Sequence, residues 1–232
     1  MITSPIVERL EEVRARIRSA AERVGRDPSS ITLLAVSKTK PAEDVAAAYA
    51  AGQRAFGENY AQELEEKAHA LAHLRDLEWH FVGRLQSNKA KVIAKIARMV
   101  HAVDGEKLAQ ELAKRAVGRA NPLEVLVEVN VGGEDSKGGV APAELPILLS
   151  AIERMPALRL AGLMSIPPPS PDPESSRRFH RALRELRDAH GGSSRLPVLS
   201  MGMTDDLEVA VEEGATIVRV GTAIFGARSA RV

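Results

Sequence analysis

Eight short apolar runs recur along the chain, and amphipathic helical stretches separate them. The runs are Thr32–Val36, Arg54–Gly57, Trp79–Gly83, Met99–Val103, Leu123–Val129, Leu158–Ser165, Val198–Ser200 and Ile217–Val220. Several are near-continuous in Val, Leu and Ile, as strands covered on both faces must be. The helical stretches are Ala42–Ala51, Tyr60–Ala72, Ser87–Ala97, Glu106–Val117, Pro142–Arg154, Pro173–Ala189, Asp206–Glu213 and a short turn, Thr222–Ala227. Strand–helix alternation with onsets mostly ~20–40 residues apart predicts a single (β/α)₈ TIM barrel over 1–232. The alternative, a doubly wound open sheet, would place G-x-G-x-x-G after its first strand. The first strand runs instead into Ser37-Lys38-Thr39-Lys40-Pro41. An extra helix precedes the barrel. Ser4 is its expected cap, Pro5 suits its first position, Ile6, Leu10, Val13, Ile17 and Val24 form its stripe, and Gly25 stops it. The expected long loops are Gly132–Gly139 and Pro167–Pro171, the second ending in a helix start with Asp172 as cap and Pro173 following.

Composition removes several classes of function. The 32 basic and 31 acidic residues leave a net charge of +1, which gives no footprint for nucleic acid or a membrane surface. Cysteine is absent, so disulfides, thiolate metal sites and cysteine nucleophiles are excluded. No apolar run is long enough to span a bilayer, and the N-terminal segment carries charge from Glu8 onward, unlike a signal peptide. The expected location is the cytoplasm. Aromatic residues are only 3%, so Val, Leu, Ile and Ala must build the core.

In this barrel, sites form where strands end. The loops after strands seven and eight commonly bind phosphate. Here they offer Ser200, Gly202, Gly221 and Thr222: hydroxyls, glycines for close backbone approach, and a helix start whose amides favour an anion. The same glycines would also serve a turn. Met201 and Met203 suit packing. Lys38, just past strand one, is a candidate for covalent attachment to an aldehyde, against the plainer reading of a solvated loop lysine. Only a neutral amine attacks, and at the ordinary pKa of ~10.4 roughly one lysine in ~2500 is neutral at pH 7. A partly desolvated mouth with nearby cations would raise that fraction. Lys40 competes but precedes Pro41. Arg219, two residues before Gly221, points inward in the strand pattern. It would contact a cofactor ring nitrogen or form a salt bridge inside the barrel. His80 would cap a ligand or be a satisfied core histidine, and Asn59 would orient a ring hydroxyl or hold a turn. His69, His73, His180 and His190 fall on helices and read as surface residues. No histidine–carboxylate group has metal spacing.

The same residues carry a resemblance. LLAVSKTKP at Leu33–Pro41, FGENYAQE at Phe56–Glu63, WHFVGRLQSNK at Trp79–Lys89 and VNVGGEDSKGG at Val129–Gly139 match one family in order. GLMSIPPP at Gly162–Pro169, LSMGMTDD at Leu199–Asp206 and VRVGTAIFG at Val218–Gly226 continue the match. The chain closely resembles the pyridoxal phosphate (PLP) homeostasis proteins, also called the YggS or PROSC family. The resemblance implies a barrel like the N-terminal domain of bacterial alanine racemase. It implies PLP held as a Schiff base on Lys38, and phosphate bound by Ser200 and the Gly221–Thr222 turn, with Met201 and Gly202 in the same motif. It implies a ring-nitrogen contact from Arg219, Asn59 and His80 near the cofactor, and a role for Lys137 in PLP transfer or a second contact. Thr204 stands where many members have serine, and Gly138 replaces a commoner small residue.

Two classes of function follow. One is a noncatalytic protein of vitamin B6 homeostasis that buffers PLP and delivers it, with apo PLP-dependent enzymes as candidate recipients. The other is a small single-domain PLP-dependent amino-acid racemase (or a decarboxylase). Fold relatives with such activities add a second, all-β domain and an acid/base residue from a partner chain. This chain ends at the barrel, has no cysteine, and offers only Tyr60 as a tyrosine acid, Tyr49 lying on a helix. A second base opposite Lys38 is lacking. An arginine at the ring nitrogen would also weaken the electron sink. The expectation is therefore a monomeric carrier, without a catalytic residue or a metal. A third reading is a barrel that binds another phosphorylated metabolite without forming an imine.

Overall fold

A computed structural model describes residues 5–133 and 138–227. The expected cap Ser4 and the loop lysine Lys137 lie outside the described residues. Eight strands, β1 (Thr32–Val36), β2 (Ala55–Glu58), β3 (Glu78–Phe81), β4 (Met99–Val103), β5 (Leu123–Glu128), β6 (Leu158–Met164), β7 (Val198–Ser200) and β8 (Ile217–Val220), pair in parallel in sequence order. β8 returns to β1 and closes the barrel, with Leu34 opposite Arg219 and Ala35 opposite Val220. The helices are α1 (Pro5–Arg23), α2 (Ala42–Ala50), α3 (Ala61–Ala70), α4 (Ala90–Ile96), α5 (Glu106–Ala116), α6 (Leu145–Glu153), α7 (Arg177–Ala189), α8 (Gly192–Arg195), α9 (Leu207–Glu212) and α10 (Thr222–Phe225). The α/β barrel expected from the alternation is the fold observed.

Alternation along each strand sorts two cores, because successive side chains point to opposite faces. Leu33, Ala35, Phe56, Trp79, Val125, Leu199 and Val218 pack outward against the helices. Leu34, Val36, Ala55, Met99, Leu126, Met164 and Ile217 form a second, smaller cluster that fills the interior. Both faces are buried, which is why the strands read as continuous apolar runs.

Helix α1 takes the space left by the four-residue α10, packing against α2, α9 and α10. Its stripe Ile6, Leu10, Val13 and Ile17 is buried, and arginines within it and just after it tie it to the barrel. Arg16 grips Glu208 at 2.6 and 2.9 Å and the Thr204 carbonyl at 2.8 Å. Arg26 holds the carbonyls of Val211 and Ala215 at 2.6 and 2.8 Å. Val24 departs from the expected stripe: α1 ends at Arg23, and Val24 is 44% exposed.

Other boundaries shift for local reasons. α6 starts at Leu145 rather than Pro142, because Pro146 has no amide hydrogen to give to a helical carbonyl at 142. The stretches beginning at Ser87 and Pro173 open as single 3₁₀ turns before α4 and α7. Asp172 caps the second of these as expected, accepting the Glu174 amide at 3.1 Å. His69 and His73 are exposed and His190 half-buried, but His180 is fully buried, against the surface reading. Its Nε2 meets Asp206 at 3.0 Å. α7 presents that residue to α9 and the β7 end, a contact that helical spacing alone does not reveal.

Candidate functional site

Lys38 sits half-buried in the turn after β1. The turn is held from below. Ser37 is buried and donates its hydroxyl to Glu58 Oε1 at 2.6 Å. The Lys67 ammonium, from α3, donates to the same oxygen at 2.6 Å and to the Ser37 carbonyl at 2.7 Å. It also reaches Glu63 at 3.2 Å, while the other contact of Glu63 Oε2 is the Thr39 amide at 2.7 Å. Thr39 has φ +62°, a left-handed conformation costing a β-branched residue about 1–3 kcal/mol. The bond from Glu63 offsets part of that cost and fixes the residue next to Lys38. Burial pushes the Glu58 carboxyl above its ordinary range, opposed by the bonds from Lys67 and Ser37. Lys40, the competing lysine, directs its ammonium to the Ala227 carbonyl at 2.7 Å.

Arg219 projects into the barrel from β8 and is buried. Among the described residues it forms no salt bridge within the barrel. Its two hydrogen bonds go to neutral oxygens, Ser200 Oγ at 2.7 Å and the Ser165 carbonyl at 2.9 Å. Burial pushes the guanidinium down to about 10, so it stays cationic at neutral pH. Ser200, fully buried, continues into His101 Nδ1 at 2.8 Å, and His101 Nε2 meets His80 Nδ1 at 2.9 Å. Burial drives both histidines neutral: His80 falls to about 3, and His101 lies well below its ordinary value. Four strands thus contribute one line of polar groups across the barrel.

The loops after β7 and β8 lie at adjacent strand ends. Gly202 has φ +86°, and a Cβ there would meet the Ala210 Cβ at 2.4 Å. Turn geometry and close packing of α9 therefore account for this glycine. The loop is fixed by Asp206, whose Oδ1 accepts the Met203 amide at 2.7 Å. Asp206 stays ionised below its usual range despite burial, because His180, the Met203 amide and Ser176 hydrogen-bond to it. Gly221 lies against β1: a Cβ would stand 3.0 Å from the Val36 carbonyl, two residues before Lys38. Thr222 is exposed and opens α10, whose first amides have no partner within the helix. Met201, whose side chain suits packing and which shares the Ser200 motif by resemblance, turns that side chain into the layer between sheet and helices. That places it in packing, because it follows the inward-facing Ser200 by one residue.

Asn59 is half-buried, and its Oδ1 is buried with no partner among the described residues. It borders a cleft of about 970 Å³ at the ends of β2 to β4, with Tyr60, Arg84, Lys89 and Asp104. That cleft does not include Lys38, Ser200 or Arg219. Tyr60 is 50% exposed at the start of α3. Among the described residues no group of three or more histidines and carboxylates forms a metal site, and no helix is long and apolar enough to cross a membrane.

Sequence reasoning assigned no role to His101, Lys67, Glu58 or Ser165. The step of two from Met99 puts His101 on the same face as Met99, which is the interior; beyond it the register of β4 shifts, and Val103 packs outward. Nothing in the pattern of α3 distinguished Lys67 from a surface lysine.

A closed parallel barrel with a lysine turn after β1 and an interior arginine on β8 defines a protein of the alanine racemase N-terminal barrel class. The family described as "Alanine racemase, N-terminal domain" matches residues 9–229. A pyridoxal phosphate homeostasis protein of Pseudomonas aeruginosa is 52% identical over 97% of this chain and 96% of its own. The chain belongs to the family of the pyridoxal phosphate homeostasis proteins. Among solved structures, an unknown protein from Bifidobacterium adolescentis superposes with a TM-score of 0.89 at 39% identity, covering 95% of this chain and 94% of that one. PipY of Synechococcus elongatus PCC7942, solved with PLP bound, superposes with a TM-score of 0.81 at 36% identity, covering 95% and 100%.

Proposed function

We propose that this chain is a noncatalytic PLP-binding protein of intracellular vitamin B6 homeostasis, a single-domain cytoplasmic monomer that holds PLP as a Schiff base on Lys38 and delivers it to apo enzymes. The observation that carries the reading is the meeting of β1 and β8. It sets the Lys38 turn beside the Gly221–Thr222 turn and brings Arg219 onto the strand next to Leu34. The name of the Pseudomonas relative and the PLP bound to PipY support the same cofactor.

The residues fit the group. Arg219 is a buried cation whose described partners are neutral oxygens, suited to an unprotonated ring nitrogen as acceptor. Asn59 Oδ1 is a buried acceptor without a partner, suited to a ring hydroxyl. The Thr222 hydroxyl and the first amides of α10 would take the phosphate. Ser200 joins them less directly, its hydroxyl already engaged inside the barrel. Bound PLP supplies an aldehyde carbon. The neutral Lys38 amine would be the group to condense with it, a carbon–nitrogen double bond replacing the carbonyl, whose oxygen leaves as water with the two amine hydrogens.

The carrier reading is favoured over a racemase. Tyr60 stands exposed at a helix start, and a guanidinium at the ring nitrogen would keep that nitrogen from acting as a strong electron sink. The test is the visible spectrum of wild type and Lys38→Ala after incubation with PLP, before and after borohydride. A yellow wild type trapped by reduction beside a colourless variant supports the reading, and a racemase assay then separates carrier from enzyme. A wild type that stays colourless overturns it.

A further inference from the structure

The hydrogen-bond line inside the barrel is better satisfied in one direction than in the other, leaving one buried polar atom of the line without a described partner rather than two. Ser200 Oγ owns one hydrogen and two lone pairs. Arg219 is donor only, so its Nη1–H occupies one lone pair at 2.7 Å. The remaining contact is His101 Nδ1 at 2.8 Å. If that nitrogen carried the hydrogen, Ser200 would accept twice, and its own hydrogen would have no acceptor among the described residues, inside a fully buried side chain. Ser200 therefore donates to His101 Nδ1. A neutral His101 then carries its hydrogen on Nε2 and donates to His80 Nδ1 at 2.9 Å. A neutral His80 carries its hydrogen on Nε2 in turn, the one ring nitrogen of the pair with no described partner. Burial and the neighbouring cations keep both rings neutral.

We infer that His101 is a positioning residue, which fixes the Arg219 guanidinium through Ser200 and locks both interior histidines as Nε2–H tautomers. Among the described residues no carboxylate hydrogen-bonds to the guanidinium, which Asp206 and Glu128 attract only through space. Its place is set by Ser200 Oγ and the Ser165 carbonyl, and the Ser200 rotamer is set by His101. The consequence for PLP rests on the proposed function, because it is the Arg219 contact to the ring nitrogen that His101 would steady. The tautomers themselves do not depend on any ligand.

The first experiment is a long-range ¹⁵N–¹H spectrum of histidine-labelled, ligand-free protein at neutral pH, with His80 and His101 assigned by His80→Gln and His101→Asn. Pyrrole-type Nε2 and pyridine-type Nδ1 on both rings are expected. A pyrrole-type Nδ1 on His101, or an imidazolium at either position, overturns the inference whether or not PLP binds. The second experiment compares PLP binding to His101→Asn and His101→Leu. Asparagine keeps an acceptor where Nδ1 lies, and leucine does not. His101→Leu should bind about tenfold more weakly, the scale of losing one bond that orients a charged group, with a shifted visible band. His101→Asn should stay within about threefold of wild type. Equal binding by the two variants overturns the positioning role, while a wild type that binds no PLP sinks the proposed function and leaves the tautomer spectrum to decide this inference.

Discussion

The Lys67 ammonium stands 2.7 Å from the carbonyl oxygen of Ser37, at the base of the turn that carries Lys38. A lysine of an outer helix thereby supports a lysine of the barrel mouth. Its charge is matched by Glu58 at 2.6 Å, with side-chain exposures of 7% and 0% for the pair.

Lys67→Met removes that cation and strands the Glu58 carboxylate. Breaking a buried pair from one side costs about 3–5 kcal/mol, since the other charge keeps its desolvation penalty. The urea midpoint should fall accordingly. Adding Glu58→Gln should recover much of the loss, because a neutral amide tolerates the site. A midpoint equal to wild type in the single variant would show that the pair is not buried in solution.

Acid should unfold the protein partly through His80 and His101. Both are neutral when folded, His80 falling to about 3. An unfolded histidine titrates near ~6.5. Above that pH neither state binds the proton, and stability is complete. As pH falls from ~6.5 toward 3, the unfolded chain takes up protons that the folded one excludes. Stability then drops by about 1.4 kcal/mol per pH unit for each histidine. Glu58 and Glu128, raised by burial, act in the opposite sense near their own range. His101→Asn should flatten the slope between pH 6 and 4, measured by denaturant titration. An unaltered slope would mean that the ring is protonated in the fold.

Gly202→Ala should destabilise the β7 end. The added methyl meets Ala210 Cβ at 2.4 Å in a backbone with φ +86°. The left-handed conformation alone costs an alanine about 1–2 kcal/mol, and the contact adds to it. Thermal unfolding reads the sum. Alanine at Gly118, also at positive φ (+86°) but with open space around its Cβ, is the control and should lose only the conformational part.

Lys38 and Lys40 are separable. Lys40→Ala removes a surface bond to the Ala227 carbonyl and should change stability by no more than about 0.5 kcal/mol, leaving PLP colour intact. Lys38→Ala should abolish the colour. Peptide mapping after borohydride reduction identifies the modified lysine, and label on Lys40 would reverse the assignment.

Much of the architecture is legible in the sequence, because a parallel barrel buries both faces of every strand and so writes eight apolar runs directly into the residue order. The positions of the lysine after β1, the arginine of β8 and the glycines after β7 and β8 are legible too, since strand order fixes which end of the barrel they occupy. What the sequence leaves open are partners far apart in the chain. His101 and Ser200 are separated by 99 positions, and Lys67 and Ser37 by 30. Periodicity gives a residue its face but not its neighbour. Thus the helical pattern of α3 is silent on Lys67, and His180 reads as a surface residue although it is buried. Tertiary structure decided these, because barrel closure and helix packing determine which buried polar atom meets which, and a buried polar atom is stable only where a partner reaches it.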